Sequence, residues 1–331
     1  MAIAQIEASL KRVGLDRYMM LLILMVVLAT LLPARGASAE VLTQVTYWAV
    51  GLLFFIYGAK LSTATILAGL SNWKLQISCL MCTYAVFPLL GLALAPIASL
   101  YLPSAFAIGI LYIGCLPSTV QSSIAFTSVA KGNVAGAVCA ASVSNILGVF
   151  MAPLLFALLI PSSTGVEIGA DAVWKILQQI LLPFAVGQLC RPLIGGWLNR
   201  HKQITGIVDR GSILLIVYSA FSAGVVNGIW HVVDAQHMFG LWLLVAFMLA
   251  AGMTISMLAG RAGGMDRGDL VALFYCGSTK SLATGLPMAG VLFAGQDVAM
   301  IVLPLMFFHT TKLFACAIIS QRQAMAIAAT A

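Results

Sequence analysis

Residues 114–123 read GCLPSTVQSS and residues 276–287 read CGSTKSLATGLP. Each stretch breaks an otherwise apolar run, and they lie half a chain apart. In hydrocarbon a broken helix leaves N–H and C=O groups without partners, so a break persists only where protein or a water-filled cavity covers it. Paired Gly/Pro-interrupted segments at matching places in two halves are the sequence mark of a transporter's binding site. These two stretches therefore predict a membrane transporter whose site lies where the breaks meet.

The rest of the chain agrees with that frame. It has 331 residues, 62% of them hydrophobic and 8% charged, with a mean hydropathy of +1.05. Soluble domains carry about 25% charged residues. The reading is an all-α polytopic membrane protein with ten spans near the ~20 residues that cross a bilayer. They run over 18–34, 41–61, 75–97, 104–130, 133–160, 173–197, 211–230, 238–260, 269–293 and 297–320, and the fourth and ninth are broken.

With both termini in the cytoplasm, 13 of the 17 basic residues fall on the inner side. They include Lys11, Arg12 and Arg17, then Lys60, Lys74 and Lys131, then Arg191, Arg200, Lys202 and Arg210. The outer loops hold Arg35 alone, with Lys175 at the outer start of the sixth span. That asymmetry follows the positive-inside rule and accounts for the net charge of +7 without a nucleic-acid partner. All ten carboxylates, Glu7, Asp16, Asp209, Glu167 and Asp171 among them, fall in tails, loops or span ends. A carboxylate proton relay is therefore not expected.

Other signals are weaker. The run 18–32 followed by Ala37-Ser38-Ala39 resembles a signal peptide with its cleavage site, but cleavage would leave nine spans. Cys79 and Cys82 form a CxxC within an apolar span, where small packing residues are the ordinary reading. His231, Asp234 and His237 offer zinc-type ligands without a fourth, so no metal site is expected. No protease, hydrolase, P-loop or dinucleotide fingerprint occurs. Ser122 or Ser123 with His309 could serve an intramembrane hydrolase only with a nucleophile elbow or carboxylate that the chain lacks, so no enzyme is expected.

Spans 1–5 (residues 18–160) and 6–10 (173–320) each place a broken fourth member before a short turn and a closing span, with residues 161–172 as outer linker. Residues 1–17 and 321–331 form cytoplasmic ends. Five is odd, so the halves enter from opposite sides as inverted repeats.

At the breaks the chain resembles the bile acid:sodium symporter superfamily, and within it the bacterial YfeH-like branch. The strings that carry the resemblance are GCLPSTVQSSIAFTSVAKGNV (114–134), FYCGSTKSLATGLPM (274–288) and VLPLMFFH (302–309). It implies a panel of spans 1, 2, 6 and 7 and a core of spans 3–5 and 8–10. The broken helices would cross in the core, and rocking of the domains would give alternating access in a bacterial inner membrane. It also implies sodium ligands, and here the chain departs from the pattern. The Ser-Asn pair of sodium-coupled members falls on Ser122 and Ser123, two hydroxyl positions on Ala137 and Ala141, the acidic ligand on Phe274, and a Gln on Ser278.

The expected solute is small, organic and anionic, because half-helix N-termini and Lys280 present positive charge at mid-depth. Thr119, Gln121, Thr279, Lys280 and His309 are the candidate substrate residues. Ser122, Ser123, Ser142, Asn145 and Ser278 are the candidate ion residues, with sodium the one candidate ion and no cofactor. Ser118 and Thr119 read as N-caps for the second half of span four. Ser144 falls on a small-residue stripe with Gly136, Ala140 and Gly148, which is a packing face, and Asn145 points off it. Lys312, nearer the inner surface, reads as snorkelling. With no carboxylate at its depth, Lys280 must pair with carbonyls, hydroxyls, a helix end or a bound anion. It either binds a substrate carboxylate or sulfonate, or stands in for sodium as a tethered ammonium, or simply holds the crossover. A sodium-independent carrier and a non-transporting membrane regulator remain the alternative functions, and no oligomeric state follows.

Overall fold

The computed structural model describes residues 17–60, 72–159, 174 and 177–328. The N-terminal segment before Arg17, the linker 161–172 with Glu167 and Asp171, Lys175 and the last three residues lie outside the described residues. Among the described residues every element is helical and there is no strand. The elements are α1 (Arg17–Leu31), α2 (Ala37–Lys60), α3 (Trp73–Tyr101), α4 (Ser104–Cys115), α5 (Gln121–Val129) and α6 (Val134–Leu159). After these come α7 (Leu182–Arg200), α8 (Lys202–Val226), α9 (Ile229–Val232), α10 (Ala235–Ala262), α11 (Arg267–Ser278), α12 (Leu282–Leu292) and α13 (Val298–Ala328). Among the described residues seven helices are long and apolar enough to cross a membrane, and α4 and part of α1 are shorter apolar helices. The chain is thus a multi-pass membrane protein.

Both breaks fall where the sequence puts them. Residues 116–120 separate α4 from α5, and residues 279–281 separate α11 from α12. Pro117 supplies no N–H to continue α4. Two boundaries differ in a way that matters. The helix α8 begins at Lys202 instead of residue 211, which carries Asp209 two turns inside a helix. A hydropathy reading stops at the charged pair Asp209-Arg210, whereas the backbone does not. The helix α3 runs through a π-turn at Cys82–Val86, just ahead of Pro88. A proline ring clashes with the carbonyl four residues back, and widening the preceding turn relieves that clash.

Lipid tails are as apolar as leucine, so helices in a bilayer associate through close packing and hydrogen bonds. Here α2 packs along α7, and α8 packs on α1 and α2. Gly58 of α2 lies against Phe184 O, and Gly187 of α7 lies against Phe55 O. A second set joins α3 to α4, α10 to α11, and α13 to α4, α10 and α5. The stripe Gly136, Ala140, Ser144 and Gly148 on α6 is buried, with Gly136 against Leu75 and Gly148 against Pro117 and Tyr84. Ser144 thus lies on the packing face, as its position on the stripe predicts, and its hydroxyl also accepts from Ser118 N.

Candidate functional site

Three backbone carbonyls near the crossing have lost their helical partners, each for a local reason. In an α-helix the N–H of Phe87 would bond Thr83 O, but in the π-turn it bonds Cys82 O instead. The N–H of Ser118 would bond Gly114 O, but it bonds the Ser144 hydroxyl at 3.0 Å. Leu116 ends α4 at the break, so its carbonyl has no following turn. Lys280 fills this cage. Its ammonium donates to Leu116 O at 2.7 Å, Thr83 O at 2.8 Å and Gly114 O at 3.0 Å. Phe87 covers a further side, its ring centroid 4.4 Å from Nζ. The residue is 0% exposed. An ammonium has three donors, and all three are used. The carbonyls at the C-terminal end of α4 also carry the negative pole of that helix.

The breaks are stitched directly to each other. Ser281 N donates to Pro117 O at 2.9 Å, and the Ser118 hydroxyl donates to Cys276 O at 2.5 Å. Thr119 Oγ1 donates to Lys280 O at 2.6 Å. Asn145 of α6 donates to Ser118 O at 2.6 Å and accepts from Thr284 Oγ1 at 2.9 Å, so it joins both breaks. Ser281 caps α12, its side chain accepting from Thr284 N at 3.2 Å. Ser118 and Thr119 do not cap α5. Val120 is the N-cap, without a side-chain bond, because the partner break offers both hydroxyls free carbonyls.

Lys312 departs from its expectation too. It is 0% exposed and does not snorkel; its Nζ turns inward to Thr119 Oγ1 at 2.7 Å and Lys280 O at 3.2 Å. Freed polar atoms at the crossing are the nearest acceptors for its amine.

A cavity of about 640 Å³ opens beside the crossing. Of the expected substrate residues, Thr119, Gln121 and His309 line it; of the expected ion residues, Ser122, Ser142 and Asn145 do. Lys280, Thr279, Ser123 and Ser278 are buried behind the wall. Ser123 and Thr279 share a 2.7 Å hydrogen bond, and Ser278 donates back to Phe274 O at 2.5 Å. Sequence reasoning missed the opposite wall, which brings Tyr18, Tyr57, Lys60, Asp209 and Arg210. Tyr57 donates to Asp209 at 2.7 Å, and the Arg210 guanidinium lies 5.7 Å from the Tyr18 ring centroid. The available signal was Tyr18 on span one and Tyr57 on span two, the latter beside a second tyrosine, Tyr47, that does not line the cavity.

Between α9 and α10, Asp234 caps α10 and accepts from His237 N at 2.8 Å. That N–H holds the Asp234 carboxyl below its ordinary range. The carboxylate is thus engaged as a helix cap.

Comparison with known proteins bears on what such a site serves. A family model described as "SBF-like CPA transporter family" matches residues 16–325. An uncharacterized protein of Pseudomonas aeruginosa is 48% identical over 309 residues, 93% of each chain. YfeH of Escherichia coli K12, a candidate symporter by name, is 42% identical over 93% of this chain and 92% of its own. Sodium/bile acid cotransporter 7 of Rattus norvegicus is 27% identical over 92% of this chain and 91% of its own.

Proposed function

Because this chain belongs to the SBF-like CPA transporter family, we propose that it is a secondary active carrier for an organic anion, working by alternating access with Lys280 in place of a coupling cation. The observation that carries this reading is the carbonyl cage. Three carbonyls freed at two helix irregularities are the kind of oxygen set that binds a hard cation. The ammonium of Lys280 saturates all three. A charge held there cannot also take a substrate carboxylate, so the substrate role falls to Thr119, Gln121 and His309 on the cavity wall.

The architecture in this reading is two inverted five-helix repeats. The pairing of α1, α2, α7 and α8 supports a panel, and the contacts among α3, α4, α10, α11 and α13 support a core. The cavity then lies between panel and core. The anionic character of the solute is supported by Lys60 and Arg210 on the wall, against a single carboxylate, Asp209, that Tyr57 already engages. The distribution of basic residues supports cytoplasmic termini, and the bacterial relatives support an inner membrane.

A sodium-coupled reading has one observation of its own. Gln76 is 7% exposed and neither amide atom has a partner. An amide oxygen is a sodium-type ligand.

Uptake into proteoliposomes separates the two readings. A bile acid, the solute in the rat relative's name, is the probe, with sodium or choline outside at equal ionic strength. Saturable uptake of equal rate in both salts is expected. Uptake that requires sodium contradicts the replacement of the ion by Lys280.

A further inference from the structure

We propose that Lys312 is the proton-binding residue of this carrier, cycling between ammonium and amine as the cavity opens and closes, while Lys280 stays an ammonium throughout. The inference rests on the alternating-access reading above. It starts from a difference in hydrogen-bond stoichiometry between two buried lysines. Lys280 has three acceptors for three N–H groups, which only the ammonium supplies. Lys312 has two, Thr119 Oγ1 and Lys280 O, which a neutral amine satisfies equally well. The third proton of a Lys312 ammonium has no acceptor among the described residues and is the one that exchanges.

The surroundings provide a route and a reason. His309 lies one turn before Lys312 on the same face of α13 and lines the cavity. Its Nδ1 has no partner. The ammonium loses one proton to become an amine. That proton leaves to cavity water; His309 Nδ1, which makes no hydrogen bond in this state, is the unused acceptor on that side of α13. Among the described residues no carboxylate is hydrogen-bonded to Lys312. On α13 its titratable neighbours are His309 and Cys316. From α4, Cys115 faces Lys280, and the Tyr112 hydroxyl donates to Gly285 O. The titratable side chains of α10, His237 and Arg261, sit at its ends, and α5 and α12 carry none. The Tyr275 hydroxyl of α11 donates to Gln323, and α8 presents Asp209 and Arg210 across the cavity. Lys312 is 0% exposed, so in this state a charge on it has only Thr119 Oγ1 and Lys280 O. A wider cavity that admits water to it lowers the cost of the charge, so opening and proton uptake are linked.

The test reads accessibility, not uptake. Ala125 lines the cavity, and an Ala125→Cys reporter is labelled with an impermeant maleimide from pH 6 to 9. Rates are divided by those of a Gln296→Cys reporter in an exposed turn, which cancels thiolate chemistry. The relative rate is expected to fall as pH rises, by at least about threefold, since one linked proton moves a two-state equilibrium by up to about tenfold per pH unit. Lys312→Met should be pH-independent at the closed limit and Lys312→Arg pH-independent at the open limit. Where the Met variant does not give monodisperse protein, the Arg variant decides alone. A flat profile with native Lys312, or a native slope retained in either variant, overturns the proposal. No solute is involved, so failure to find a transported anion would count against the carrier reading and leave this result standing.

Discussion

Replacing Lys280 with Met is expected to lower the stability of the detergent-solubilised protein by about 4 kcal/mol. Among the described residues the ammonium is the sole partner of three carbonyls on α3 and at the end of α4, Thr83 O, Gly114 O and Leu116 O. A methionine is of similar length and has no donor. Each buried carbonyl left without a donor costs about 1–3 kcal/mol, partly offset because the variant no longer buries a charge. Water has no easy way in, since the lysine is 0% exposed. Thermal unfolding of the two proteins, side by side, checks the value. A difference under about 1 kcal/mol would show that the cage does not depend on the ammonium, and both the tethered-cation and the crossover-holding roles would lose their support.

The second large effect concerns the contact of α2 with α7. A methyl group on Gly187 would lie 2.0 Å from Phe55 O, and one on Gly58 would lie 2.0 Å from Phe184 O. Both obstacles are backbone carbonyls, which move only if the helices separate. Overpacking costs about 1–3 kcal/mol when side chains can give way, and more when they cannot. Gly187→Ala and Gly58→Ala are each expected to abolish recovery of monodisperse protein. Gly206 on α8 has nothing within 4 Å of its would-be methyl group. Gly206→Ala is expected to be neutral or stabilising by about 0.5–1 kcal/mol. Normal yield and melting of Gly187→Ala would mean that α2 and α7 do not pack as described.

The breaks were legible because Gly, Pro, Ser, Thr and Lys in mid-span conflict with hydrocarbon, and the sequence says so without knowledge of neighbours. The same strings carried the family resemblance, and the family match over residues 16–325 agrees with it. What stayed hidden depends on tertiary partners. Ser118 and Thr119 look like caps until the other break offers them Cys276 O and Lys280 O. Lys312 is close enough to an interface to snorkel, and only the freed polar atoms at the crossing turn it inward. The π-turn that frees Thr83 O left one trace, Pro88, which reads locally as an ordinary kink. The cavity wall formed by Tyr18, Tyr57 and Arg210 comes from spans distant in sequence, so no local pattern announces it. Asp209 was assigned to a span end because hydropathy falls at Asp209-Arg210, although the helix starts at Lys202.

In the proposed carrier the ammonium of Lys280 occupies the place of a coupling cation. The most direct test is thermal unfolding of the purified protein in sodium and in choline at equal ionic strength, with Lys280→Ala measured beside the native chain. An ion that binds only the folded state raises its stability by mass action. No sodium-specific rise is expected for the native protein, and a sodium-specific rise is expected for Lys280→Ala, whose vacated cage exposes three carbonyl oxygens. A sodium-specific rise in the native protein would contradict it and would direct attention to the unpartnered amide of Gln76 as part of a working cation site.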